Sequence, residues 1–278
     1  MYKKILITGN SGYIGSHLTA LLLKTGKYKI HGLDKKRPQI DPHEFFLRDI
    51  RSEKLYISEK YDCVIHLAAE VAVGRSVTNP TLYYTTNTLG TLNLLKNIKT
   101  DKIVHGSTGS AGPMNNPYGI SKRAAEDIVD QFCKENSIPY TIFRFFNVTG
   151  TAGFKPTNPD GLMWNLIEAR KNGTFNLFGN DYNTRDGSAE RDYTHVLEIC
   201  SALETGIILP SNKIESLGHG VGLTVKEMID LYKKVNDCDF NVNICERREG
   251  DLERSVLDRP SSYMKRLYTP EQLLKHDL

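Results

Sequence analysis

Residues 3–17 read KKILITGNSGYIGSH, and their order decides the fold class. A short apolar run stops at a glycine turn, and the helix-like stretch IGSHLTALLLKTG (14–26) starts at once. Gly9, Gly12 and Gly15 stand where side chains would block a tight turn and the approach of backbone to a phosphate. The helix amino terminus behind them offers free N–H groups and positive dipole. The spacing G-x-x-G-x-x-G is a variant of the dinucleotide fingerprint and is weak on its own. Asp34, 19 residues past Gly15 at the end of the next apolar run, strengthens it. A carboxylate there accepts both ribose hydroxyls of an adenosine and repels a 2′-phosphate, which favours NAD. The adjoining Lys35-Lys36-Arg37 leaves NADP open.

Further runs alternate in the same way. YKIHGL (28–33), CVIHLA (63–68), KIVHGS (102–107) and YTIFRF (140–145) read as strands. Residues 79–98 and 118–136 between them read as helices, the latter with Ala124, Ala125, Ile128, Val129 and Phe132 at helical spacing. This alternation predicts an α/β fold, a Rossmann-type doubly wound parallel sheet. After Asn147 the pattern changes to a Gly/Pro/Thr/Asn-rich loop, a helix (162–173), a strand (174–179) and a polar, turn-rich run (180–193). A helix (195–207) and a strand (213–218) follow. The division predicted is a nucleotide-binding domain, 1–148 and 190–217, with a smaller α+β substrate-binding cap, 149–189 and 218–278.

The spacing Y-x-x-x-K, which puts both side chains on one helix face, occurs twice, at Tyr118/Lys122 and Tyr56/Lys60. Position separates them. Tyr118 follows a strand and the hydroxyl-rich turn Ser107-Thr108-Gly109-Ser110, and ligands of open α/β sheets bind at strand carboxyl ends. Tyr56 lies in a polar stretch and reads as a surface helix residue. A tyrosine of pKa near 10 is a poor base at neutral pH. The ammonium of Lys122 and a positive nicotinamide ring would both favour its phenolate. Thr108 stands where its hydroxyl could share a substrate proton, although a strand-end hydroxyl bonded to backbone reads equally well.

With 36 basic and 33 acidic residues the net charge is +3, and the longest basic run is three residues, so no nucleic-acid partner is indicated. The run LTALLL (18–23) is too short to span a bilayer, and no signal peptide is evident, which predicts no membrane partner. Cys63, Cys133, Cys200, Cys238 and Cys245 are odd in number and scattered. They read as buried or half-exposed thiols of a cytoplasmic protein, without a metal site.

At this point the residues resemble a known family, the extended short-chain dehydrogenase/reductases, and within it the UDP-glucose 4-epimerases. TGNSGYIGSH (8–17), with Tyr13 and Ile14, is similar to the opening motif, and RDI (48–50) to an acid–Ile pair, Asp49 and Ile50, that touches adenine. HLAAEVAVGRSVTNPTLYYTTNTLGTLNLL (66–95) resembles the strand and helix that put Leu67, Ala68, Ala69 and Asn87 near the cofactor, with Ser107 beyond them. YGISK (118–122) carries the Tyr and Lys, and RFFNVTG (144–150) supplies Asn147 at the sugar-nucleotide site, with Leu162 following. FGNDYNTRDGSAERDYTHV (178–196) resembles the uracil and ribose-phosphate region and implicates Phe178, Arg191 and Tyr193. RREGD (247–251) resembles a late Arg–Asp pair, Arg248 near the diphosphate and Asp251 near ribose hydroxyls; alone it would read as solvated surface.

The resemblance implies a homodimer and a UDP-sugar substrate. It also implies 4-epimerisation through a transient 4-keto sugar, with NAD retained. Departures accompany it. Only nine residues separate Thr108 from Tyr118, Val71 and Phe145 replace a lysine and a tyrosine, and Ser255 stands where some relatives carry a bulky tyrosine. The small Ser255 predicts room for an N-acetyl group. The alternatives are a nucleotide-sugar reductase, a dehydratase or a non-catalytic sensor. The Gly109-Ser110 pair argues against the dehydratase, which places Asp-Glu there. Retention of Tyr118, Lys122 and Thr108 argues against the sensor.

Overall fold

The run KKILIT forms a strand, Lys3–Thr8, whose residues from Ile5 onward are shut off from solvent. In the computed structural model, which describes residues 2–209 and 212–275, this strand lies inside a seven-stranded sheet. From one edge the order is Asn212–Leu217, Tyr140–Phe145, Ile103–Thr108, Cys63–His66, Lys3–Thr8, Tyr28–Asp34 and Glu44–Leu47. Every pairing is parallel. The chain builds outward from Lys3–Thr8 to one edge, then returns through Cys63–His66 and builds toward the other. A crevice therefore opens between the carboxyl ends of these two strands, where such sheets bind ligands.

Alternate residues of the first strand serve two cores, as a sheet covered on both faces requires. Ile5 and Ile7 meet Leu18 and Leu22 of the helix Tyr13–Thr25 and Ile199 and Leu203 of the helix Val196–Ile208. Leu6 packs on the other face with Leu33, Val64, Leu94, Val129 and Ile142. A third cluster stands apart, joining Met163 and Leu166 of the helix Leu162–Asn172 to Met228 and Tyr232 of the helix Val225–Val235 and to Leu274. Beside it, Thr174–Phe178 pairs with Asn241–Cys245, and Glu190–His195 pairs with Gly222–Thr224, Arg254–Ser255 and Asn147–Thr149.

The structure corrects the sequence reading in three places. Glu44–Leu47 is an edge strand, missed because it is short and half-exposed. The turn-rich run 180–193 ends in a strand, since Glu190–Tyr193 finds three partner strands that its own polarity does not announce. Tyr56 is exposed as expected but is not helical; its φ of 55° lies in the left-handed region. The predicted helix 79–98 forms, with a wide turn over Tyr84–Leu89.

One buried carboxylate ties distant segments to this frame. Glu198, 2% exposed, accepts from His195 N (3.0 Å), from Leu267 N (2.6 Å) and from His219 Nε2 (2.9 Å). Burial pushes its carboxyl up, but His219 and the two backbone N–H groups together outweigh this and hold it below its ordinary value. A carboxyl with a depressed folded value stabilises above its unfolded value, about 4.3, and loses that contribution as pH falls through the folded one. Glu198→Ala is therefore expected to lower stability by about 2 kcal/mol at neutral pH. Urea midpoints of parent and variant should converge as the pH drops below about 4.

Candidate active site

The first wall of the crevice is made by glycines. Gly9 has φ +74°, and a Cβ there would lie 2.6 Å from the Ala68 nitrogen. A Cβ at Gly15 would lie 2.1 Å from the Gly9 oxygen, so neither position admits another residue without moving backbone. The following helix starts at Gly12 with no side-chain cap, and Gly12, Tyr13, Ile14 and Gly15 line the cleft. Uncapped N–H groups beside a cradle free of side chains fit a diphosphate.

Asp34 sits at the far end of this wall. Its carboxylate accepts from Ser11 N (3.2 Å) and Lys36 N (2.9 Å), which fixes its direction. Lys35 is tied to Glu70 by a 2.5 Å ion pair, so its charge is already met. Asp49 is gripped by Arg51 at 2.6–3.1 Å, and that hydrogen bonding holds it below the usual carboxylate range. With Ile50, Leu67, Ala68 and Ala69, Asp34 and Asp49 line a cavity of about 120 Å³, a place shaped for an adenosine. Asn87 stands behind this wall. Its side chain accepts from Glu70 N and donates to Glu70 O and Ser121 Oγ, locking the segment after Cys63–His66 to the helix Pro117–Glu135.

That helix begins where the strand Ile103–Thr108 ends, across the short loop. Gly109–Ala111 makes one tight turn, with Thr108 accepting from Ser110 N, and the Asn116 side chain caps Gly119 N at 2.8 Å. A Cβ on Gly119 would lie 2.3 Å from the Ser110 oxygen, so the loop and helix start touch through a glycine. Tyr118 and Thr108 both line the cleft. Burial raises the Tyr118 phenol above its ordinary value, and the nearby Thr108 hydroxyl only partly opposes this. The expected lowering by Lys122 is not found among the protein's own groups, because Lys122 is directed elsewhere. Its Nζ donates to Gly106 O at 2.6 Å and lies 3.5 Å from His105 Nε2. Burial brings the Lys122 ammonium down to about 8, with Glu126 opposing. Ser107 donates to Glu126 at 2.5 Å.

Thr108, Tyr118, Lys122, Ser107, Leu67, Asn147, Leu162 and Tyr193 line a central cavity of about 310 Å³ that also touches the glycine turn. An outer cavity of about 240 Å³ shares Thr108, Tyr118, Asn147 and Leu162 with it and adds Arg191, Arg248, Asp251 and Ser255. Arg248 lies over the Phe178 ring, 3.8 Å from its centroid, which stiffens a long side chain at the cavity wall. Arg191 is held by Glu190 O at 2.9 Å. Burial raises the Asp251 carboxyl, with Arg191 and Arg248 opposing.

Thus the predicted site residues converge on one cleft or stand directly behind it. Sequence reading passed over Glu126, Arg144, His66 and His105, and it passed over Asn116, Asn158 and Asp160 on the outer cavity. Asn116 had a signal, an Asn before a Pro at a helix start.

Residues 5–207 match the NAD dependent epimerase/dehydratase family. The UDP-glucose 4-epimerase of Haemophilus influenzae is 32% identical over 309 aligned positions, covering 95% of this chain and 91% of that protein. The UDP-glucose 4-epimerase of Bifidobacterium longum, solved in complex with NAD+ and UDP, superposes with a TM-score of 0.87 at 27% identity, covering 98% and 96% of the two chains. The UDP-Glc/GlcNAc 4-epimerase of Campylobacter jejuni superposes with a TM-score of 0.78 at 28% identity, covering 98% and 97%. Glycine cradle, Tyr118–Lys122 pair and these likenesses agree, and the chain belongs to the NAD-dependent epimerase/dehydratase family.

Proposed function

We propose that this protein is a nucleotide-sugar 4-epimerase that interconverts UDP-glucose and UDP-galactose, and their N-acetyl forms, on bound NAD. One observation carries the reading. The central cavity, which begins at the glycine turn, and the outer cavity, which holds two arginines, share Thr108 and Tyr118.

Gly9, Gly12, Tyr13, Ile14 and Gly15 would hold the cofactor's diphosphate, Asp34 its adenosine ribose, and Asp49, Ile50, Ala68 and Ala69 its adenine. NAD, when bound, supplies the hydride acceptor and donor. The protein's own chemistry is the movement of one proton. A sugar hydroxyl placed between Thr108 and Tyr118 would give its proton to Tyr118 as the phenolate and would later recover it, while Thr108 keeps the hydroxyl aligned. The phenolate is the form that the positive ring of bound NAD would favour, against the burial that raises the phenol. Arg191 and Arg248 would take the sugar nucleotide's diphosphate and Asp251 its ribose. Phe178 would act through Arg248, and Tyr193, Leu162 and Asn147 would bound the sugar.

The division into a domain of residues 1–148 and 190–217 and a cap of 149–189 and 218–278 is supported by the separate third core cluster. Among the described residues no helix is long and apolar enough to cross a membrane, and all five cysteines are free, which supports action in the cytoplasm. Leu89 and Ile120, 57% and 40% exposed on adjoining helices, support a homodimer through that face.

NMR of the purified protein with UDP-glucose or UDP-N-acetylglucosamine, without added NADH, tests the reading. The matching galacto-sugar should appear. Tyr118→Phe is expected to cut kcat about 10³-fold, while calorimetry shows UDP-sugar binding unchanged. Net consumption of reduced cofactor would instead identify a reductase.

The pocket wall at Ser255 generates a second expectation. Ser255→Tyr should lower kcat/KM for UDP-N-acetylglucosamine by about tenfold or more and leave UDP-glucose turnover near the parent's. Equal losses on both sugars would show that Ser255 does not select between them.

A further inference from the structure

Two histidines stand inside the strands behind the cleft and have no part in the proton transfer above. His66 is fully accounted for, with Nδ1 2.7 Å from Thr8 Oγ1 and Nε2 2.9 Å from Thr91 Oγ1. His105, on the neighbouring strand with its ring centroid 5.1 Å from that of His66, is not. It is wholly buried, its Nε2 faces Lys122 Nζ at 3.5 Å, and its Nδ1 has no partner.

The ammonium of Lys122 has three donors, and the cleft can use only those left over. Gly106 O takes one at 2.6 Å. Glu126, engaged by Ser107 (2.5 Å) and by Arg144 (2.9 and 2.6 Å), acts on Lys122 through its charge and not through a hydrogen bond. His105 Nε2 is therefore the second acceptor at hand. The contact is long, as hydrogen bonds at catalytic centres often are before ligands bind.

We propose that His105 is a positioning residue for Lys122: its Nε2 accepts a second ammonium hydrogen, so that the third is aimed into the central cavity. This rests on the reading of Lys122 as part of the active site. It requires the ring to be neutral with its proton on Nδ1, and that N–H is the one left without a partner. A buried donor without a partner costs stability, and costs of this kind are retained mainly where function uses the geometry. The ring stays neutral: burial, then Lys122, then His66 hold His105 well below its ordinary value. The other titratable and charged groups around Lys122 are Tyr118 and Glu126 on its own helix, His66 behind His105, and Arg144 beyond Glu126.

Removing an acceptor from an ammonium favours its neutral form. In the NAD-loaded protein labelled with ¹³C-lysine, the Lys122 Cε resonance, assigned with Lys122→Met, should titrate near the value set by burial, about 8. His105→Phe should lower that midpoint by about one pH unit. The alkaline limb of the kcat–pH profile should move by the same amount, with KM for the sugar nucleotide unchanged. His105→Gln, which restores an acceptor near the Nε2 position and keeps the site polar, should return both toward the parent. Identical Lys122 midpoints in all three proteins, or a Gln variant that behaves as the Phe variant does, overturn the proposal. The titration needs no sugar, so a protein inactive on every UDP-sugar would refute the function proposed above and leave His105 to be judged by the Lys122 midpoint.

Discussion

The helix Pro117–Glu135 carries Tyr118, Lys122 and Glu126 four residues apart, which aligns a phenol, an ammonium and a carboxylate on the face turned to the parallel sheet. Polar groups of this kind survive burial only when each is matched. The sheet supplies the matches at successive positions of two strands. Thr108 meets Tyr118, Gly106 O meets Lys122, and Ser107 and Arg144 meet Glu126. The buried Glu126–Arg144 pair makes the register unforgiving. Rotating the helix by one residue, about 100°, would strand a carboxylate or an ammonium without partners.

That constraint explains how so short a connection between Thr108 and Tyr118 can still form an ordered site. The loop does not need to find its own fold, because its two ends are already placed by the helix stack. It closes with a one-turn helix, the Asn116 cap and Pro117 in the first turn of the long helix. Gly119 lets the Ser110 carbonyl come close enough to seal the junction. Within the loop the left-handed position is Met114, at φ 53°, while Gly112 keeps a φ of −69°.

The same contrast runs through the molecule. Strands with β-branched interiors and helices with regular apolar spacing were legible, because burial on two sheet faces writes itself into neighbouring residues. The glycine turn and Asp34 were legible because backbone approach and a strand-end acid leave a local signature. The matches of the buried stack were not. Glu126 and Arg144 are 18 residues apart and each looks like an ordinary surface charge, while His66 and His105 pass for strand filler inside apolar runs. The arginines of the outer cavity could be placed only through likeness to a known motif, since RREGD alone has the composition of solvated surface. Glu44–Leu47 lacked any signal except its pairing with Tyr28–Asp34.

On the proposed reading, the cleft meets two diphosphates with two different physical devices. At the glycine turn the recognising charge is a helix end, partial and fixed in the backbone, and a full negative charge on Asp34 stands nearby. This suits a cofactor whose ribose hydroxyls must be admitted and whose 2′-phosphate must be refused. At the outer cavity the charge is carried by Arg191 and Arg248, long side chains that must lose freedom to bind. Phe178 beneath Arg248 and Glu190 O on Arg191 restrict part of that motion in advance, so less ordering remains when a ligand arrives. A sugar held by its distant diphosphate in this way could turn either face toward the hydride carrier, with its C4 oxygen still beside Tyr118, without releasing its anchor. Both faces must be presented if C4 is to be inverted and the product is to leave with the same nucleotide.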